Sequence, residues 1–153
     1  MTRAALVAIS ALALSAATLS AQASPATSGA LPTAATKAQG TVIRVRMTQT
    51  GARYQFEPAN FTVKQGDIVE FVNISGGPHN VEFNKAKIPA GAEAVLNANM
   101  TARLGSVQGP MMMQPNQTYR VSFANAPLGT YDYDCLPHRA MNMKGVITVQ
   151  ARR

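Results

Sequence analysis

In TVIRVRMT, residues 41–48, Ile43, Val45 and Met47 alternate with Arg44, Arg46 and Thr48. That is the period of a strand with one face in a core and the other in water. NFTVKQGD repeats the pattern with Phe61 and Val63 in phase, and Gly66-Asp67 marks a turn. DIVEFVNI alternates again and stops at SGGP; HNVEF, beginning at His79, reads as a further short strand. TYRVSF puts Tyr119, Val121 and Phe123 on one side. GTYDYDC does the same for Tyr131, Tyr133 and Cys135, with Asp132 and Asp134 facing away, and GVITVQ closes the series. Short strands at this spacing, separated by Gly, Pro and Asn, predict an antiparallel β-sandwich. Ala92 to Leu104 breaks the rhythm, where one short helix or a long loop with a helical turn fits equally well. There is no internal repeat and no Gly-rich phosphate loop.

The alternation begins only near Thr41. Ahead of it, MTRAALVAISALALSAATLSAQA has a short positive start at Arg3, an apolar run and a small-x-small site at Ala21–Ala23, the anatomy of a cleaved secretory signal peptide over residues 1–23. The run is too short and too rich in Ala and Ser for a membrane span. SPATSGALPTAATKAQG, residues 24–40, has almost no large apolar side chains and reads as a flexible leader. The folded domain is therefore expected over 41–150, one domain in a 153-residue chain. The expected compartment is periplasmic or thylakoid-lumenal.

Export sharpens the meaning of composition. The chain has one cysteine and two histidines. A lone cysteine in an oxidising compartment cannot pair within its own chain, so Cys135 is expected to be buried, metal-bound or joined to another chain. The formal charge is +7, of which Arg3 would leave with the signal peptide. This surplus favours an acidic partner or anionic surface. The cations are spread along the chain apart from the terminal ARR, so nucleic acid is not expected as a partner.

Cys135 ends a predicted strand on its inward face; His138 follows after two intervening residues and Met143 after four more, while His79 starts another strand far upstream. Taken singly, a cysteine packs as a small hydrophobe, a histidine satisfies itself and a methionine fills a gap. Taken together, a thiolate, two imidazoles and a thioether suit a soft or borderline transition metal, and the His₂Cys set with a weak axial Met is the donor set of a blue-copper site. Coordination would also protect the thiol.

PHNVEF, CLPHRAMNM and KGVITVQ, together with FEPANFTVKQGDIVEFVN, MMQPNQTYRVSF and APLGTYDYDC, resemble the cupredoxin superfamily, and within it the plastocyanins and pseudoazurins, over roughly Thr41 to Gln150. The resemblance implies an all-β, eight-stranded Greek-key β-sandwich, one type 1 copper ion and one-electron shuttling between larger redox proteins. It implies His79, Cys135 and His138 as equatorial ligands and Met143 as the axial one. Met141 is the competitor, but the family's axial methionine is followed by x-Gly and the last strand, which Met143-Lys144-Gly145 matches. It gives Asn80 the task of bonding across to the cysteine loop. It implies an electron-transfer surface around the His138 ring edge, made of Gly77, Pro78, Leu136, Pro137, His138, Ala140 and Met141. Partners would be transient redox proteins such as a cytochrome or a membrane redox complex, meeting a monomer. Two departures stand out: Asp134 occupies the position before the cysteine where plastocyanins usually carry tyrosine, and Met111–Met113 is richer in methionine than the family pattern.

The alternative is a periplasmic copper chaperone or resistance protein holding labile Cu(I) with Met100, Met111–Met113 and Met141. An enzyme is not expected, and neither is a small-molecule substrate. Copper oxidases need further histidine-rich centres, and both histidines are consumed by the one site; no acyl-transfer motif surrounds Cys135.

Overall fold

The computed structural model describes residues 40–153. The expected signal peptide, and all of the expected leader except Gly40, lie outside the described residues. The strands are β1 (Val42–Thr50), β2 (Arg53–Glu57), β3 (Asn60–Lys64), β4 (Ile68–Asn73), β5 (Glu82–Phe83), β6 (Thr118–Ser122), β7 (Gly129–Asp134) and β8 (Lys144–Gln150), with one helix, α1 (Ala92–Asn99), between β5 and β6. They form two sheets of four, ordered β2-β1-β4-β6 and β3-β8-β7-β5. The all-β sandwich with one short helix is thus the fold.

Three details differ from the pattern of alternation. First, the sandwich is not purely antiparallel: β1 runs parallel to β4 and β3 parallel to β8. The chain crosses to the second sheet for β3 before returning as β4 beside β1, and a period of two carries no information about direction. Second, β2 is a strand that alternation alone does not single out, five residues held between the turn at Gly51 and Pro58. Third, β4 does not keep one wet face, since Glu70 and Val72 are buried along with Val69 and Phe71. β4 is an inner strand, and Arg44 of β1 and Arg120 of β6 both fold over Glu70, bonding its carboxylate at 2.8 Å each.

The inward residues of both sheets meet in one core that includes Val45, Met47, Phe71, Phe83, Phe123, Tyr131 and Ile147. Full burial of each such side chain contributes about 1.5–3 kcal/mol before entropy is counted. Buried tyrosines need partners for their hydroxyls. Tyr131 Oη donates to the Pro127 carbonyl at 2.7 Å and Tyr133 Oη to the Ala59 carbonyl at 2.9 Å. The second bond explains Gly145 in β8, where any Cβ would collide with the Ala59 carbonyl and the Tyr133 ring. At α1, Ala92 and Leu96 turn into the core one helical turn apart. Asn97 and Asn99 then spend their side chains on Val107 N–H and the Ala124 carbonyl outside the helix.

Asp67 ties together the β3–β4 turn and the chain end. It accepts Thr41 N–H and Lys64 N–H at 2.8 and 2.7 Å and pairs with Arg152. Burial alone would raise its carboxyl; the two backbone donors and the guanidinium outweigh that and hold it below its ordinary value. Part of the terminal ARR is therefore spent inside the fold.

Candidate metal centre

Three separate segments converge at one end of the sandwich. The first follows the Ser75–Pro78 turn, where His79 exchanges two backbone hydrogen bonds with Met112, at 3.1 and 2.7 Å. Asn73, buried at the end of β4, supports this bridge by donating to the Met112 carbonyl at 3.0 Å. The second segment is the end of β7, which delivers Cys135. The third is the 3₁₀ turn Leu136–Met141, opened by Pro137, which carries His138 and ends at Asn142 in the left-handed region at φ 63°. Asn tolerates that conformation better than most residues. The turn is closed from within: His138 N–H donates to the Cys135 carbonyl at 3.0 Å, Met143 N–H to the His138 carbonyl at 3.2 Å, and Cys135 N–H to the Met143 carbonyl at 3.1 Å.

This scaffolding brings three donor atoms together. Cys135 Sγ lies 3.5 Å from His79 Nδ1 and 3.4 Å from His138 Nδ1, and the two nitrogens are 3.1 Å apart. His79 and Cys135 are fully buried and His138 is 6% exposed. His79 Nε2 is 2.9 Å from the Ser75 carbonyl, which can only accept; the ring proton therefore sits on Nε2 and Nδ1 presents a lone pair to the cluster. Burial also pushes both histidines below their ordinary value, helped at His138 by its neighbour His79, so both are neutral donors at neutral pH. Burial pushes the Cys135 thiol up, although backbone N–H groups of Asn80 and His138 pull the other way. A metal ion held by the sulfur would displace this proton to solvent and leave the thiolate as the ligand.

The donor set fits a metal ion. Atoms held at roughly 2.0–2.3 Å from a common centre lie about 3.3–3.7 Å from each other, close to the spacing found. Two imidazole nitrogens and one sulfur in a trigonal group is the preference of copper with a thiolate ligand.

The other expected residues are placed as follows. Met143 is fully buried, bracketed by its backbone bonds to His138 and Cys135, whereas Met141 is 45% exposed. Asn80 Oδ1 accepts Leu136 N–H at 2.8 Å, joining the first segment to the third. Gly77, Pro78, Leu136, Ala140 and Met141 are exposed and Pro137 is half-buried. The methionine run splits: Met112 is buried as the bridge partner of His79, and Met113 is 58% exposed.

Tyr54 of β2 goes unnoticed in the sequence. Its ring stacks on His138 with centroids 3.8 Å apart and planes 14° from parallel, and meets His79 edge-on at 6.3 Å. The only signal for it is an aromatic in alternation with Phe56, which fixes a strand face but not a neighbour. His138, with Nδ1 turned inward and one face under Tyr54, has no protein hydrogen bond at Nε2 among the described residues.

Residues 43–150 match the family described as copper binding proteins, plastocyanin/azurin family. A plastocyanin from Scenedesmus fuscus is 34% identical over 108 residues, which cover 71% of this chain and 99% of that protein. Among solved structures, oxidized plastocyanin from Dryopteris crassirhizoma aligns with a TM-score of 0.54 and 28% identity, over 71% of this chain and all of the other. A pseudoazurin from Methylobacterium extorquens aligns with a TM-score of 0.50 and 26% identity, over 73% and 77%.

Proposed function

The chain belongs to the plastocyanin/azurin family of copper-binding proteins, and from that premise we propose that it is an exported mononuclear blue-copper protein that carries single electrons between larger redox proteins. The observation that carries the reading is the buried cluster of His79, Cys135 and His138. These three would hold the ion, with Met143 as the weak axial donor; the burial of Met143 and the exposure of Met141 favour that choice. When bound, copper supplies a one-electron Cu(I)/Cu(II) couple.

The protein's part is to keep the donors still and dry. The donors come from one chain and are tied by short backbone bonds on both sides, so a monomer suffices and little needs to move when charge changes. Asn80 joins the His79 segment to the cysteine loop, and an outer contact of this kind orients the ligands it touches. With His79 and Cys135 fully buried, no small-molecule substrate reaches the donors, which supports a carrier over an enzyme. The burial of Met112 likewise counts against a methionine-based copper chaperone.

His138 is the exit. The residues expected to surround its outer edge are Gly77, Pro78, Leu136, Pro137, Ala140 and Met141; all but the half-buried Pro137 are exposed, which supports a small apolar surface suited to brief encounters. Each of the chain's seven acidic side chains is within salt-bridge distance of a cation. Arg53, next to Tyr54, and Lys144, next to Met143, have no such partner among the described residues. The surplus favours an acidic redox partner. Work outside the cytoplasm rests on the composition of residues 1–23 and on the single cysteine.

Voltammetry of the copper-loaded mature domain tests this. A reversible one-electron wave that disappears in Cys135→Ser is expected. A parent protein that takes up copper but gives no reversible wave would refute the carrier.

A further inference from the structure

The residue before Cys135 and the residue after His138 are joined on the outside of the loop. Arg139 meets Asp134 with a two-pronged contact, Nε to Oδ2 at 3.0 Å and Nη2 to Oδ1 at 2.9 Å. The same Nη2 is 3.1 Å from Glu82 Oε2. Glu82 lies on β5, three residues beyond His79, and its backbone is in register with Asp134 of β7. Glu82 Oε2 is buried and makes no hydrogen bond, so the guanidinium is the compensation it has.

From this we infer that Arg139 is a positioning residue, a latch whose single guanidinium fastens the segments that carry His79, Cys135 and His138. Asn80 ties the loop to the first segment from the inside; Arg139 ties it from the outside. The latch contributes geometry rather than bulk stability. The Arg139 side chain is 50% exposed, and ion pairs that wet add little to folding. A planar fork on a carboxylate does fix an angle, which a lysine's point charge cannot do. Asp134, directly before Cys135, is what makes the fork possible. For the role of holding the donors in one arrangement, the inference rests on the copper reading above; for the stiffness of the loop, it does not.

The test uses Arg139→Gln, Arg139→Lys and Asp134→Asn in the full mature chain. In the metal-free protein, amide exchange at Leu136, His138 and Met143 should quicken by about fivefold or more in all three variants, with the β1–β4 amides unchanged. The double variant Asp134→Asn/Arg139→Gln should be no worse than Arg139→Gln alone, because the Asp134 contact is already lost there. In the copper-loaded protein, each variant should alter the ratio of the visible bands and the copper hyperfine splitting. Unchanged loop exchange in Arg139→Gln would overturn the latch, and so would a uniform rise across loop and sheet, the mark of a general stability contact. Full recovery of parent behaviour in Arg139→Lys would overturn the fork. A parent with no blue spectrum but with selective loop loosening in the variants would sink the copper reading and leave the latch standing.

Discussion

Tyr54 and Asn80 act on the same small loop by different physics, and their substitutions separate accordingly. Tyr54 covers a face of His138 by stacking, worth about 0.5–1.5 kcal/mol beyond the area it buries. Tyr54→Ala should lower the urea-unfolding stability of the metal-free protein by roughly 1–3 kcal/mol, while Tyr54→Phe keeps most of it. Asn80 accepts the N–H of Leu136, and Asn80→Ala strands that donor. The expected loss is about 1–3 kcal/mol by the same measurement, and Asn80→Asp, which keeps an acceptor, should lose less. These two residues also mark what the sequence discloses. Asn80 is adjacent to a ligand inside a recognisable Pro-His-Asn, so its task is legible. Tyr54 is far along the chain from both His79 and His138; its role exists only once β2 lies against the 3₁₀ turn.

Alternation reveals β1, β3, β4, β6, β7 and β8 because each has a face in the core, but it misreads the outer face wherever another element covers it. Glu70 is the instructive case: a polar residue in phase with the wet side of β4, yet buried under Arg44 and Arg120 of the flanking strands. The bonds from Arg120 and Arg44 outweigh the opposing effect of burial and hold the Glu70 carboxyl below its ordinary value. The sign follows directly. The folded state binds this proton less readily than the unfolded chain, so the contribution is complete above about pH 4.3 and fades as pH falls below it. Asp67 acts in the same direction slightly lower, from about pH 3.9. Urea unfolding of the metal-free protein from neutral pH into the acid range should show a falling acid limb that is shallower in Glu70→Gln. An acid limb identical in the two proteins would assign the loss to other groups. The parallel pairs β1–β4 and β3–β8 are hidden from the sequence for a different reason, since they depend on the path of the chain between sheets and not on any residue's polarity.

The two sheets bring rare donor types from distant parts of the chain to one end, and that rarity made the site readable. One cysteine and two histidines leave few ways to build a metal centre, whereas the Arg139 contacts use common residues and exist only in the folded molecule. With every acidic side chain paired, the molecule meets its partners as a cation, so the rate of electron exchange with an acidic redox protein should fall as salt rises toward a Debye length of about 8 Å. Exchange with a neutral small-molecule oxidant should not change, and equal salt dependence for both would remove the electrostatic account. The visible and electron paramagnetic resonance spectra of the purified mature domain after addition of one equivalent of cupric ion test the metal centre most directly. An intense blue thiolate-to-copper band with a small parallel hyperfine splitting, bleached by reduction and absent in Cys135→Ser, is the predicted result. A colourless protein that binds only cuprous ion, indifferent to Cys135→Ser and weakened by substitution of Met113 or Met141, would contradict it.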